Sequence, residues 1–348
     1  YSILINICQY ISFFVLFLLL VKRPLSLFSF LRRSLVCSDN CLFDSNLDIF
    51  VNKFDKLEPR GNDNLFLLSS SSLVIKNSIF RVTDENKDSP IILDFKKLNI
   101  SATDFLISGA NVDTNIKRLS FADSRGFSLK NIKTVFKYSP TQMFFSNLLL
   151  ESNTSLFSGN LQFDYKREDL NSFYDKVNIS GSLKNSTIDL DEINFIYNEF
   201  GTNQIVQLNT AFSGTLNNLK FDEFNMKTTE NSFIIGNFRT TDLFKSSSTD
   251  FYFNGEFEKI SSTYEELTAL MPRVLGNTVP SEFKSLGRFD MNGNIEISKQ
   301  FVKTAMDIST EIGSMFIDLD LINIEAIDNA LYDGQIRFRD FNLGKALG

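Results

Sequence analysis

The feature that most constrains this chain is a glycine that keeps returning inside alternating sequence. The pattern apolar, any residue, Gly, any residue, apolar occurs as Phe157–Gly159–Leu161, Ile179–Gly181–Leu183, Phe212–Gly214–Leu216 and Ile234–Gly236–Phe238. It returns as Phe253–Gly255–Phe257, Met291–Gly293–Ile295 and Tyr332–Gly334–Ile336, at intervals of 19 to 41 residues. A glycine inside a strand weakens it and is kept where the sheet bends or something packs close. The flanking residues alternate with period two. Val206, Leu208, Phe212 and Leu216 share one parity with Thr210 and Gly214 between them, and Asn217-Asn218 breaks the run. Phe289, Met291, Gly293, Ile295 and Ile297 form a second such series, and Val302, Thr304, Met306, Ile308 and Thr310 a third. Runs of this kind, separated by polar turns, specify strands with one dry and one wet face. One-faced strands are what an antiparallel sheet with one dry and one wet side requires. The chain is therefore expected to be mainly β, with a twisted antiparallel sheet of repeats from about residue 65 to 340.

Helices are expected to be few and short. Residues 191–200 put Ile193, Ile196, Tyr197 and Phe200 on one side before Gly201, a C-terminal signal. Ser262 with Glu265 three residues on reads as a capping box opening a helix to Leu270, stopped near Pro272. A third runs from Ser281 to Leu286 before Gly287. Elements this short serve as plugs or end-caps on a sheet.

The first 44 residues are unlike the rest. They hold all three cysteines and no glycine, and their four basic and two acidic side chains sum to +2. The remaining 304 residues carry 31 basic and 40 acidic side chains, a charge of −9. Within this head, residues 3–21 form an apolar run long enough for a transmembrane helix, closed by Lys22-Arg23-Pro24. All four head cations follow the run, which by the positive-inside rule would put the body in the cytoplasm. The head reads either as an anchor or as a stretch foreign to the body. A body without cysteine suits either redox compartment.

No chemistry-bearing constellation emerges. The 348 residues include no histidine, the commonest acid–base group and metal ligand. Asp84-x-Asn86-x-Asp88 begins like a calcium loop, but Ser89 and Phe95 stand where glycine and glutamate are needed. Asp44-x-Asn46-x-Asp48 fails at Ile49. Asp189 with Asp191 and Asp318 with Asp320 fall on wet faces of alternating strands. A net charge of −7 and the small cluster of Arg337, Arg339 and Lys345 argue against a nucleic-acid partner. The expectation is a non-catalytic chain with no cofactor and no metal.

The segment from Phe66 to Phe105, beginning FLLSSSSLVIKNSIF, resembles the amino-terminal half of TamB proteins, members of the AsmA-like group of Gram-negative envelopes. So do Ala122–Leu170, TEIGSMFIDLDLINI from Thr310 and the closing YDGQIRFRDFNLGKALG. The likeness spans 45–348, truncated before the family's carboxy-terminal domain, and leaves 1–44 as a separate head. What the resemblance implies is an inner-membrane anchor, a periplasmic body, and a sheet curled into an apolar groove. The implied role is outer-membrane biogenesis, by phospholipid transfer across the periplasm or by assembly and translocation of outer-membrane proteins. A TamA-type barrel partner would be met through the missing carboxy-terminal region.

An apolar sheet face without enough helix to cover it must curl on itself or hold ligand. The residues expected to line a groove for phospholipid acyl chains are Phe212, Leu216, Met306, Ile336 and Phe338 of even parity. Phe253, Phe257, Met291 and Ile295 of odd parity join them if each turn resets the register. The alternative is a structural or adhesin-like β-solenoid whose inward residues meet in a closed core.

Overall fold

The computed structural model describes residues 67–83, 91–123, 126–194, 200–242, 251–272, 281–324 and 329–347. Fifteen strands form a single antiparallel sheet in which each strand neighbours the next in the chain, from β1 to β15. Among the described residues no helix is long and apolar enough to cross a membrane. The head, its candidate span over 3–21, all three cysteines and both aspartate loops start outside those residues.

The chain divides into two compact units, with the boundary in sequence between Pro140 and Thr141. The first contains β1 (Leu67–Thr83), β2 (Ile91–Ser108), β3 (Asn111–Asp123) and β4 (Ser128–Ser139). Its dry face holds Phe105, Ile107 and Val112, with Leu68, Leu73 and Tyr138 packed against them. On β1 and β2, Arg81 donates from Nε and Nη2 to the buried carboxylate of Asp94, at 3.1 and 3.2 Å. That fork-to-fork geometry is what allows a carboxylate so little water.

The second unit holds β5 (Gln142–Glu151), β6 (Leu156–Asp164), β7 (Asn178–Asp189), β8 (Ile205–Thr215), β9 (Asn218–Thr228) and β10 (Phe233–Thr241). It continues with β11 (Tyr252–Ser262), β12 (Phe289–Ser298), β13 (Phe301–Thr310), β14 (Gly313–Ile322) and β15 (Leu331–Arg339). Its helices are single turns or little more: α1 (Phe173–Lys176), α2 (Leu190–Asn194), α3 (Tyr264–Leu270) and α4 (Leu343–Leu347), with a 3-10 turn at Ser281–Leu286.

One helix boundary differs from expectation, and one expected helix is described only in part. The helix foreseen over 191–200 is described only as α2, and residues 195–199 lie outside the described set. The Asn194 amide donates to the Phe200 carbonyl at 3.0 Å and accepts the Phe200 N–H at 2.9 Å. Gly201 acts as a close approach: a Cβ there would collide with the Ala269 carbonyl at the end of α3. The cap of α3 is Thr263, whose hydroxyl accepts the Glu266 N–H at 3.2 Å. Ser262 is buried at the end of β11, its hydroxyl 2.8 Å from that of Ser232.

Strand alternation is interrupted by a recurring bulge. Asn77, Asn147, Asn185 and Glu223 adopt left-handed backbone, with φ between 43° and 53°. Each sits where the pairing register slips. In each case an asparagine on the following strand accepts the freed N–H. Asn99 takes that of Asn77, Asn160 that of Asn147, Asn209 that of Asn185 and Asn237 that of Glu223, at 2.7 to 3.0 Å. The side-chain amide replaces the ladder carbonyl that the extra residue has displaced.

The pattern glycines are fixed by their neighbours. At Gly214, with φ 123°, a Cβ would run into the Asn218 carbonyl. At Gly293, with φ 137°, it would meet the Ala305 carbonyl. Replacing either by alanine combines left-handed strain with a backbone clash and should cost on the order of 2–4 kcal/mol. Gly344, in α4, has only a side-chain atom 3.4 Å from a built Cβ, and its alanine variant should be neutral or slightly stabilising. Urea midpoints of the three variants test the contrast.

Candidate functional site

Directly opposed residues of an antiparallel ladder share a face, so the pairings trace one surface from β5 to β15. Phe145 opposes Leu161, Leu161 opposes Gly181, and Gly181 opposes Phe212. Phe212 opposes Phe221, Phe221 opposes Phe238, and Phe238 opposes Gly255. Gly255 opposes Ile295 and Phe257 opposes Gly293. Gly293 opposes Met306, Met306 opposes Ile317, and Ile317 opposes Ile336. Met291 reaches the same row through Ile308 and Met315 to Phe338. Phe212, Phe253, Phe257, Met291, Ile295, Met306, Ile336 and Phe338 thus lie on one face. Leu216 lies beyond the end of β8, buried in the turn before β9.

A rule runs through these pairings. Gly159 opposes Leu148 and Leu183, Gly181 opposes Leu161 and Phe212, and Gly214 opposes Ile179 and Leu219. Gly236 opposes Phe224 and Phe257, Gly255 opposes Phe238 and Ile295, and Gly293 opposes Phe257 and Met306. Gly334, on the outermost strand, opposes Leu319 alone. Six of the seven pattern glycines therefore sit between large apolar groups of their neighbours, which fill the space they leave. A Cβ on Gly181 would lie 2.6 Å from the Phe212 ring, and one on Gly255 2.7 Å from the Phe257 ring.

The most concentrated part is a row of phenylalanines across β8 to β11. Ring centroids of Phe212 and Phe221 are 6.3 Å apart, Phe221 and Phe238 4.6 Å, and Phe238 and Phe253 5.5 Å. Phe224 meets Phe238 edge-on at 4.9 Å. Stacked and edge contacts at these distances add to simple area burial. Sequence reading missed Phe221 and Phe224, three residues apart yet on one face, because the bulge at Glu223 shifts the parity within β9. The same happens in β5 and β7. Register is thus reset inside strands as well as at turns.

Exposure varies along the face. Phe257 and Met306 are buried beside Ile260, Phe289 and Ile308, while Phe253, Met291 and Ile295 pack against them only half-buried. Ile336 and Phe338 on β15 are 47% and 50% exposed. Helix α3 covers one end, with Leu267 against the Phe257 group and Leu270 in a second cluster with Ile188, Leu190 and Val206. The other side of the sheet is wet: Lys303 pairs with Asp320 at 3.9 Å and Lys259 with Asp290 at 3.6 Å, all well exposed.

That rim of the sheet is tied by carboxylates on the short helices. Glu192 of α2 accepts from the Ser152 hydroxyl and from the Asn153 and Thr154 N–H groups of the β5–β6 turn. Glu266 of α3 accepts from Ser232 in the β9–β10 turn and from Arg288 Nη2 at 2.8 Å. At the β13–β14 turn, the Glu311 N–H donates to the Leu286 carbonyl at 3.1 Å. At the opposite rim, α1 holds the β8–β9 turn: Asn217 donates to the Tyr174 carbonyl at 3.0 Å and to Asp175 at 2.6 Å.

Among the described residues no three His, Cys, Asp or Glu side chains converge as a metal site. No family model, no curated protein and no solved structure matches the chain.

Two measurements follow from these contacts. Burial pushes the Glu192 carboxyl up, but the Ser152, Ser155 and Thr154 hydrogen bonds outweigh it and hold the group below its ordinary 4.5. A lowered folded-state value means a contribution present above the unfolded value and lost as pH falls through the folded one. Glu192→Gln should cost about 1 kcal/mol at neutral pH and flatten the loss of stability below about pH 4.5. Thr240, 2% exposed between Leu219 and Phe253 on the apolar face, has no hydrogen-bond partner for its hydroxyl among the described residues. Thr240→Val should raise stability by up to about 1 kcal/mol, read as a higher denaturation midpoint.

Proposed function

We propose that this chain is a non-catalytic envelope scaffold of the TamB and AsmA-like kind, whose apolar sheet face carries phospholipid acyl chains. The observation that supports it most is the face itself. Phe212, Phe221, Phe238, Phe253, Met291 and Ile295 lie side by side and only half-buried on strands β8 to β12. Phenylalanine and methionine offer large, adaptable apolar contact and ask for no hydrogen bond in return. Ten methylenes placed against such a surface gain on the order of 8 kcal/mol before ordering costs. The family resemblance supplies the rest of the reading: an inner-membrane anchor, a body in the periplasm, and lipid transfer or outer-membrane protein assembly with a TamA-type barrel.

The test is native mass spectrometry of the purified protein, with lipid extraction, for the wild type and for Met306→Asp and Phe253→Asp. Co-purified phospholipid is expected with the wild type. It should fall several-fold in the variants, because an unpaired carboxylate on this face is costly to desolvate. Strand content by circular dichroism should persist. A wild-type protein free of lipid, with no crosslink to lipid from position 212 or 253 in membranes, selects the closed-core structural reading.

A further inference from the structure

We infer that Met291 and Met315 form a peroxide-sensitive modification site on the apolar face. Oxidation of their thioethers to sulfoxides turns that part of the face polar and reversibly lowers its hold on hydrocarbon. The reactivity stands on burial and pairing alone, and only its consequence for lipid rests on the function proposed above. All three cysteines lie outside the described residues, so the sulfur within them is that of the six methionines. Two of these are shut in: Met143 is 1% exposed and Met306 8%. Met291 and Met315 are half-buried, and both pack against the buried group of Phe257, Ile260, Phe289, Met306 and Ile308. Met291 opposes Ile308 and Ile308 opposes Met315, so the two thioethers stand two strands apart on one face with a buried isoleucine between them. Met226 and Met271 are half-buried too, but they pack with Ile188, Leu190, Val206 and Leu270 in the cluster that α2 and α3 reach.

The chemistry asks only for access to the sulfur. A sulfur lone pair attacks one oxygen of hydrogen peroxide, the S–O bond forms as the O–O bond breaks, and the second oxygen leaves as water. The sulfur loses two electrons and the peroxide gains them. Two thiols of a reductase reverse the step, leaving as a disulfide and water. The sulfoxide oxygen is a hydrogen-bond acceptor where the thioether asked for nothing. Across the ladder Met291 has only Ile260 and Ile308 to offer it, and Met315 only Ile308 and Phe338. An oxygen turned inward would be buried unpaired, which is costly. It therefore stays at the surface, in the place a methylene of the occupant would take. An adaptable apolar contact becomes a polar one that prefers water.

The experiment is a hydrogen peroxide time course on the purified full chain, stripped of lipid in detergent, with peptide mass spectrometry of every methionine. Met291 and Met315 are expected to gain oxygen about tenfold faster than Met143 and Met306. Binding of an apolar fluorescent dye, and uptake of phospholipid from phosphatidylethanolamine and phosphatidylglycerol vesicles, should both fall several-fold after treatment. Both should return with methionine sulfoxide reductase and a dithiol, and strand content by circular dichroism should hold throughout. Each variant is compared with its own untreated sample. The pair Met291→Leu and Met315→Leu should abolish the peroxide effect, and the pair Met226→Leu and Met271→Leu should leave it in place. Equal oxidation rates at Met291, Met315, Met143 and Met306 overturn the proposal. So does a dye loss that survives the first pair of substitutions, or a loss of strand content on oxidation. A chain that never takes up phospholipid, yet loses dye when these two sulfurs are oxidised, sinks the lipid reading and upholds the site.

Discussion

The dry surface from β6 to β12 depends on one steric exchange: a glycine on six of these seven strands opposed on both sides by a large apolar group. The glycine is required for two reasons at once. At Gly214 and Gly293 the neighbouring strand's carbonyl occupies the place of a Cβ, so no side chain fits without moving backbone. The absent side chain would leave a gap, and the adjoining rings lean into it, as Phe212 does over Gly181 and Phe257 over Gly236 and Gly255. Close backbone approach and filled space are therefore the same event. A strand glycine ordinarily loses cross-strand contact. Here the contact is returned by partners too large to pack beside one another without it.

A second device lets that exchange continue from strand to strand. Each left-handed bulge adds one residue to its strand and moves the following side chains to the other parity. Met143 and Phe145 give way to Leu148 and Leu150, and Leu219 and Phe221 give way to Phe224 and Met226, without leaving the dry face. The N–H released at the bulge is met by an asparagine amide on the next strand. In β6 and β10 that asparagine directly follows the pattern glycine, as Gly159-Asn160 and Gly236-Asn237. Asparagine is poorly represented in strands, and its presence at these places is explained by the hydrogen bond it makes.

This division also sets what the sequence discloses. From β12 onward the register is unbroken, so period two alone places Met291, Ile295, Met306, Ile336 and Phe338 on one face. In β5, β7 and β9 the same reasoning stops at the bulge, which is why Phe224 was invisible. Parity also extended the β8 series one step too far, to Leu216, because the strand ends at Thr215. The α3 cap was displaced by one residue since Ser262 is committed to the β11 ladder and to Ser232. The rim contacts of Glu192 and Glu266 had no local signature at all. Their serine partners lie 40 and 34 residues away, and only the up-and-down strand order brings them together.

That strand order limits how much of the dry face the described helices can cover. Odd-to-even connections gather at one rim, and it is there that α2, α3 and the Ser281–Leu286 turn are inserted. Elements of five to seven residues can bring only a few apolar groups to the sheet, such as Leu190, Leu267 and Leu270. They seal the ends of β7, β8 and β11 to β13 and do not extend over the strand middles. The middles carry the phenylalanine row and Met291, and these stay half in water. A face so apolar would be unfavourable to leave wet unless another surface occupies it. Its smoothness, with glycines set between rings and the Thr210 and Thr240 hydroxyls as small buried polar interruptions beside the row, suits an occupant that makes no hydrogen bonds. Hydrocarbon meets that requirement, and a polar peptide, which would bring unpaired N–H and C=O groups to the same surface, does not.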